Sequence, residues 1–380
     1  MLATKRDYQI CNRCVMDTTD SDIIFNQSGI CNHCITAEKL LKSEPYSLKA
    51  KEKEMKLREL ISEIKESGKG KKYDCIIGLS GGVDSSFVAY KIVRLGLRPL
   101  AVHLDNGWDS ELAVKNIENI VKKLDIDLYT YVIDWEEFKD LQLAFLKSST
   151  PDSEIPTDHA IISILYKKAK KENIKYILAG SNLSTESIMP PLWSHGHYDW
   201  KYINNVNKKF GNKPLKTFPH FSIFEWYFNK KILKKVKWIN ILDYIDYVKK
   251  DAIQILENEL NWKKYGEKHY ESIYTRFFQG YILPNKFGFD KRKAHLSGLI
   301  ISGQLSREEA LNELKKEPYP NPELLEEDKE YFLNKFGMTN DEFNSFMSTP
   351  LKNFHDYPSY ENSLLWNLLL RIFSTKNKRR

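Results

Sequence analysis

Cysteine is scarce in this chain, with five in 380 residues and none after Cys75. That excludes a cysteine pair for passing on a persulfide and leaves no evident glutaminase nucleophile. Long apolar runs are also missing. The longest near the C-terminus, Leu364 to Phe373, is broken by Asn367 and Arg371 and falls below the ~18 residues that span a bilayer, so it reads as a packing helix. Met1 leads straight into Lys5, Arg6 and Asp7 without an apolar stretch, so no export is expected and the cytoplasm is the expected compartment. Charge of one sign does not dominate. The 58 basic and 51 acidic residues leave +7, spread along the chain apart from a basic tail at Lys376 to Arg380. This suits phosphate-bearing ligands without demanding nucleic acid. Internal repeats, low-complexity tracts and a G-x4-G-K-[ST] phosphate loop are absent as well.

What remains is ordinary globular composition, 42% apolar and 29% charged, in a length that suits two or three domains. Four of the cysteines form C-x2-C-x16-C-x2-C at Cys11, Cys14, Cys31 and Cys34. Two such knuckles make a closed tetrahedral Zn²⁺ site, which holds structure and leaves no open position for catalysis. Two disulfides in a secreted protein are the alternative, and the missing export signal argues against them. His33 stays outside a set already filled by four thiolates. Cys75 lies in Tyr73-Asp74-Cys75-Ile76-Ile77-Gly78, a buried strand, and reads as core.

Directly after that strand comes Ser80-Gly81-Gly82-Val83-Asp84-Ser85-Ser86, then an apolar-patterned helix over Phe87 to Leu95. A strand, a glycine loop and a helix N-terminus together bind phosphate, because paired glycines let backbone N–H groups approach the oxygens. Ser80, Ser85 and Ser86 add hydroxyl donors, and Asp84 can face Mg²⁺ or cap the helix. Strand and helix patterns then alternate. Strands are expected at Arg98–Leu104, Asp127–Ile133 and Lys175–Ala179, and helices at Ser110–Lys123, Trp135–Leu146 and Asp158–Lys171. The fold class is therefore α/β, a doubly wound parallel sheet with ligands beyond its C-terminal edges. Past those edges lie His103, Asp105, Asn106 and Gly107, and then Gly180-Ser181-Asn182-Leu183-Ser184-Thr185-Glu186. Asp158, at the start of its helix, reads as an N-cap more readily than as a catalytic group. From about residue 220 long helical patterns take over, with capping boxes at Ser306–Glu309 and Thr339–Glu342 and a break at Pro318–Pro322.

The Ser80–Ser86 loop resembles the SGGxDS loop of PP-loop ATP pyrophosphatases, the family of GMP, NAD and asparagine synthetases and tRNA lysidine synthase. That resemblance implies ATP cleavage between the α and β phosphates. It places adenosine near His103 and Asp105, and gives Gly81, Gly82, Gly180 and Asn182 to the nucleotide site. The Gly180–Glu186 stretch is similar to Gly-Thr-x-Asn-x-x-Glu of NAD synthetases, which makes Glu186 the second Mg²⁺-facing carboxylate.

Cys11-Asn12-Arg13-Cys14-Val15-Met16-Asp17-Thr18-Thr19 and the block from Tyr265 to Leu314 look like bacterial N-acetyl sugar amidotransferases of surface-sugar biosynthesis. This implies adenylation of an acetamido carbonyl and its replacement by ammonia, giving an acetamidino sugar, AMP and pyrophosphate. The substrate is then an N-acetylated sugar acid or nucleotide sugar, and separate glutaminase and cyclase-like subunits supply ammonia. Lys268 and Arg276 are expected at the catalytic centre. His269, Lys291 and Arg292 are expected as further sugar contacts, and Trp193, His195, His197, Tyr198 and Trp200 as a possible lining. The expected division is a zinc ribbon at residues 1–40, a charged helical linker at 41–71, the PP-loop domain at 72–220 and a helical substrate or partner region at 221–380. Two rivals remain open: a tRNA-modifying enzyme of the lysidine type, and a non-enzymatic zinc scaffold that keeps an ATP fold.

Overall fold

The sheet is centred on two strands too apolar to face water, with Cys75–Ile77 and Tyr176–Ala179 all buried. Its five strands, β1 (Cys75–Gly78), β2 (Pro99–Asp105), β3 (Asp127–Val132), β4 (Tyr176–Ala179) and β5 (Lys237–Asn240), lie in the order β3-β2-β1-β4-β5, parallel throughout. The structure, a computed structural model, describes residues 7–222, 225, 236–265 and 270–362. The expectations for Lys268, His269, Leu364–Phe373 and Lys376–Arg380 fall outside the described residues.

The chain opens with a small cysteine knot held by the bridges Ile10–Asp17 and Phe25–Cys31. The Cys31 sulfur accepts from the Cys34 amide and so caps helix α1 (Asn32–Leu41). Helix α2 (Ala50–Ser67) leads to β1 (Cys75–Gly78), α3 (Val83–Arg94), β2 (Pro99–Asp105), α4 (Glu111–Leu124) and β3 (Asp127–Val132). Helices α5 (Trp135–Ser148) and α6 (Ile155–Lys171) precede β4 (Tyr176–Ala179), α7 (Leu183–Glu186) and α8 (Trp200–Phe210). Strand β5 (Lys237–Asn240) adds to the outer edge of β4, pairing Tyr176 with Lys237 and Ala179 with Asn240. The sheet thus continues past residue 220, where the sequence reading ended it. Lys-Trp-Ile-Asn is too short to show a two-residue alternation.

Period-two alternation sorts the strand side chains into two layers. Ile76, Leu100, Val102 and Ile177 join one core with α5 and α6. Cys75, Ile77, Ala101, Tyr176 and Leu178 join another with α3, α4 and helix α9 (Lys249–Leu260). Cys75 is fully buried in β1, and burial pushes its thiol up, so it is inert core, as expected.

Of the C-terminal helices α10 (Ile273–Phe277), α11 (Arg292–Ile301), α12 (Arg307–Leu314), α13 (Pro322–Phe336) and α14 (Asn340–Ser348), all but α12 share the first core, together with a π-helical segment at Phe278–Phe287, and α12 packs on α11. Trp108, just past β2, anchors them. It is completely buried against Tyr274, Phe332 and Phe336, and its indole N–H donates to Gln142 Oε1 at 2.8 Å. Both expected capping boxes form, on α12 and α14, and Pro322 opens α13.

Because β2 lies on one side of β1 and β4 on the other, the direction in which strands are added to the sheet reverses between β1 and β4 while the strands stay parallel. A crevice opens there beyond the carboxyl ends of the strands.

Candidate active site

Two adjoining cavities fill that crevice. The smaller, about 220 Å³, is lined by Ser80, Gly82, Asp84, Ser85, Gly180 and Glu186, with Lys249 and Lys264 at its side. The larger, about 350 Å³, runs over Gly78–Ser80, Val102–Leu104 and Ile177–Ser181 to the acids Asp109, Asp152, Glu154 and Asp158. Ser80, Ser85, Gly180, Ser181 and Glu271 line both.

The loop is built for close approach. Gly81 has φ +79°, and an added Cβ would stand 2.7 Å from the Ala113 carbonyl oxygen, so only glycine fits. Its own carbonyl accepts from Trp262 Nε1 at 2.8 Å. Ser80 and Ser85 hydroxyls sit 3.2 Å apart, and Ser80 Oγ accepts from the Gly82 amide at 3.3 Å. Gly82 caps α3 without a side chain, and the Val83 amide that opens the first turn donates to the Tyr265 hydroxyl at 3.1 Å. A Cβ on Gly82 would fill the cradle, 3.0 Å from Glu271 Oε1 and Tyr265 Oη. Asp84, in the first turn of α3, accepts from the Tyr247 hydroxyl. Burial, with Asp84 beside it, pushes Tyr247 upward, so it remains a donor. Glu186 closes α7 and lines the same cavity. Three carboxylates (Asp84, Glu186 and Glu271), two lysines and a glycine loop in one pocket make a donor set that fits a Mg²⁺-bound polyphosphate.

Three expected nucleotide contacts take other work. Ser86 Oγ is fully buried with no hydrogen-bond partner among the described residues, so it is no phosphate donor. It sits one position beyond Ser85 on α3, rotated into the core. Asn182 Oδ1 caps α7 through the Thr185 amide at 2.9 Å, and its Nδ2 donates to Gly180 O at 3.1 Å. Asp105 Oδ1 accepts from the Gly107 amide at 2.9 Å and shapes the turn, outside both linings. His103 does face the larger cavity, its ring fixed by Leu79 O at 3.0 Å and Asp109 Oδ2 at 3.2 Å. Burial opposes its charge and Asp109 favours it, with a net upward shift.

The larger cavity holds residues that sequence reading passed over. Glu154 accepts from Thr275 Oγ1 at 2.5 Å and Gln279 Nε2 at 2.7 Å, with Lys291 Nζ 4.0 Å away. Asp158 is not the N-cap of α6. That position is Glu154, and Asp158 stands a turn further in, facing the cavity. Enclosure by protein, with Asp152 and Glu154 close by, pushes it up to about 8. Its side chain keeps surface toward the cavity, so water there relieves part of that burial, while the neighbouring carboxylates keep the direction upward. Ser148–Thr150 and Asp152–Ser153 are all buried. A polar Ser-Ser-Thr-Pro-Asp-Ser-Glu loop reads as a solvated turn, and its burial is the signal of a site.

Of the expected sugar contacts, Lys291 lines the larger cavity. Arg276 is corrected: Nε and Nη2 grip Asp328 at 2.6 Å each, Tyr319 also donates to Asp328, and neither cavity includes Arg276. Arg276→Lys is therefore expected to cost about 1 kcal/mol of stability through loss of the two-pronged geometry. Denaturant unfolding should show that loss, with activity per folded molecule unchanged. Arg292 grips Asp290 and the Lys316 carbonyl. Trp193 stacks on Phe289 at 4.3 Å, Trp200 on His220 at 4.1 Å, and His195 meets Glu361 at 2.9 Å. His197 is half-buried, and that loss of water pushes it down to about 4. None of these four lines either cavity.

At the N-terminus the four cysteine sulfurs lie within 4.8 Å of one another, all buried and free of disulfides. Cys11 and Cys34 sulfurs are 3.8 Å apart and Cys14 and Cys31 sulfurs 3.7 Å. A tetrahedron with metal–sulfur bonds of about 2.3 Å has edges of about 3.8 Å, so the set fits a zinc ion. Amides of Arg13, Met16 and Cys31 point at the sulfurs within 3.4 Å, as thiolates require. His33 is held by Asp20 at 2.5 Å, outside the set. Among the described residues no other metal-binding group of this kind occurs, and no helix is long and apolar enough to cross a membrane.

Residues 54–211 match the NAD synthase family, and residues 271–372 match the family described as LPS biosynthesis protein WbpG-like, C-terminal domain. Among solved structures, the NMN synthetase from Francisella tularensis is 18% identical, covering 61% of this chain and 93% of its own, with a TM-score of 0.27. The NH3-dependent NAD synthetase from Campylobacter jejuni subsp. jejuni NCTC 11168, in complex with the nitrate ion, is 16% identical, covering 58% and 99%, with a TM-score of 0.29. No curated protein matches the chain. The two family matches, with the loop at the sheet's switch point, give this chain an NAD-synthase-like PP-loop domain followed by a WbpG-like C-terminal domain of lipopolysaccharide biosynthesis.

Proposed function

We propose that the chain is an ATP-dependent N-acetyl sugar amidotransferase, converting an acetamido group into an acetamidino group. The observation that carries this reading is the pair of joined cavities: a polyphosphate pocket and an acid-lined chamber share the phosphate loop as their common wall. ATP then lies across the loop with its pyrophosphate in the smaller cavity, and the acetamido group meets the α-phosphorus where Ser80, Ser85 and Gly180 line both.

An amide carbonyl is a poor electrophile. Its oxygen attacks the α-phosphorus, the bond to the β-phosphate breaks, and pyrophosphate leaves. Ammonia then adds to the activated carbon, and AMP departs with the former carbonyl oxygen. Magnesium, held by Asp84 and Glu186, would neutralise charge on the leaving pyrophosphate. Lys249 and Lys264 add positive charge along the smaller cavity, and the loop amides hold the chain of phosphates in line.

Asp158 is the base for the second half. A carboxylate near neutrality can take the proton that an ammonium ion or the attacking nitrogen must lose. Among the described residues, Lys291 is the single lysine or arginine lining the larger cavity, so a carboxylate on the sugar would be met there. The cysteine inventory, with Cys75 sealed in β1, leaves ammonia production to a separate glutaminase subunit.

Pyrophosphate release from ATP with magnesium and ammonium tests the reading across N-acetylated sugars, their nucleotide-linked forms and bulk tRNA. Release that requires an N-acetylated sugar is expected. Release with tRNA alone would replace the proposal with RNA modification, a substrate ill matched to a chamber lined by carboxylates.

A further inference from the structure

The cysteine knot is bolted to the helix that carries the site. On α11, Ser297 Oγ accepts from the Val15 amide at 3.2 Å, and Lys293 Nζ reaches Asp17 Oδ2 at 2.5 Å. From α12, Arg307 donates to the carbonyls of Cys11 at 2.9 Å and Cys14 at 3.0 Å. Ser297 and Asp17 are completely buried, and Lys293 and Arg307 reach the knot from partly buried positions.

The same helix also touches three parts of the two-cavity site. Gly298 lies so close to α7 that an added Cβ would stand 3.2 Å from the Thr185 carbonyl oxygen, and Ser302 Oγ donates to Ser184 O at 2.7 Å. Helix α7 ends in Glu186. Lys291, the residue before α11, lines the larger cavity. Just past α11, Gln304 Nε2 donates to the Tyr247 carbonyl at 2.9 Å and its Oε1 accepts from the Lys249 amide at 3.0 Å. Tyr247 in turn holds Asp84, and Lys249 lines the smaller cavity.

We propose that the four-cysteine knot is a positioning element of the ATP site, fixing α11 so that Glu186, Lys291 and the Tyr247–Lys249 segment stand in register with the phosphate loop. This rests on the reading above that MgATP occupies the smaller cavity. Zinc would close the knot, and its loss, or oxidation of the thiols, would free the Cys11–Asp17 segment that α11 and α12 grip. Glu186 and Lys249 would then lose their common strut, and ATP binding would weaken although no residue of the knot lines the ATP cavity.

The test measures MgATP affinity, zinc content and thermal unfolding on the full chain for four preparations: wild type, zinc-stripped wild type, Arg307→Gln and Gly298→Ala. The substitutions keep all four thiolates, so they separate positioning from unfolding. Gly298→Ala adds a methyl between α11 and α7 without touching the knot. Both variants are expected to keep zinc and to bind MgATP between about twofold and thirtyfold more weakly, the range for residues that couple two sites. The stripped protein should bind more weakly still, and restoring zinc should return the affinity. Zinc-loaded, folded variants that bind MgATP as wild type does would overturn the proposal, as would stripped protein of unchanged affinity. A wild type that binds no MgATP would sink the nucleotide reading itself, and this proposal with it.

Discussion

Asp84→Asn is expected to cut sugar-dependent pyrophosphate release by about a thousandfold, the loss seen when one preorganised charge-stabilising group is removed from a transition state. The side chains are nearly isosteric, and an asparagine Oδ1 can still accept from the Tyr247 hydroxyl that holds Asp84 now. The loop should therefore keep its shape. What disappears is the negative charge facing the smaller cavity, opposite Glu186, and with it the grip on magnesium. Steady-state kinetics would show the loss in kcat, and thermal unfolding would show a fold intact. An Asp84→Asn protein of near wild-type rate would leave the carboxylate as a helix-capping residue and remove the basis for placing polyphosphate there.

Asp158→Asn should lower the ammonium-dependent rate by about a hundredfold to ten-thousandfold, the range for loss of a general base, while making the protein more stable. The two effects have one cause. Enclosure in the chamber, with Asp152 and Glu154 beside it, raises Asp158 from an ordinary carboxylate value of 3.8 toward about 8, an upper bound because its side chain keeps solvent-facing surface, so the folded chain holds a proton there that the unfolded chain has released. Stability is thus present in full below the unfolded value and is lost as pH rises through the folded one. An asparagine cannot ionise and escapes that loss, so the stability gap in favour of the variant should widen between about pH 4 and pH 8. Catalysis has the opposite requirement, since the base works ionised, and the wild-type rate should climb through the same upper limit. A variant that keeps both the rate and its pH dependence would remove Asp158 from the reaction.

What could be read from the sequence was whatever local chemistry writes locally. Gly81 and Gly82 between an apolar strand and a helix announce a phosphate loop, Gly81 because its positive φ suits no other residue and Gly82 because a Cβ would crowd the cradle, and the structure places the loop at the sheet's switch point. The four cysteines announce their tetrahedron by spacing alone, and the capping boxes at Ser306 and Thr339 form as expected. What stayed hidden depends on partners far along the chain. Arg276 looks like an anion-binding residue until Asp328, 52 positions away, takes both its prongs. Asp158 looks like a cap until Tyr274, Thr275 and Lys291 close around it to form a chamber. Strand β5 is recognisable only beside β4, which supplies the hydrogen bonds that its four residues do not suggest.

The adenylation step is the central claim, and a heavy-oxygen label in the acetamido carbonyl tests it most directly. After turnover of the labelled N-acetylated sugar with ATP, magnesium and ammonium, mass spectrometry of the nucleotide should find the label in AMP, with the sugar product carrying nitrogen in its place. Label retained in the sugar, or found in pyrophosphate instead of AMP, would contradict the account.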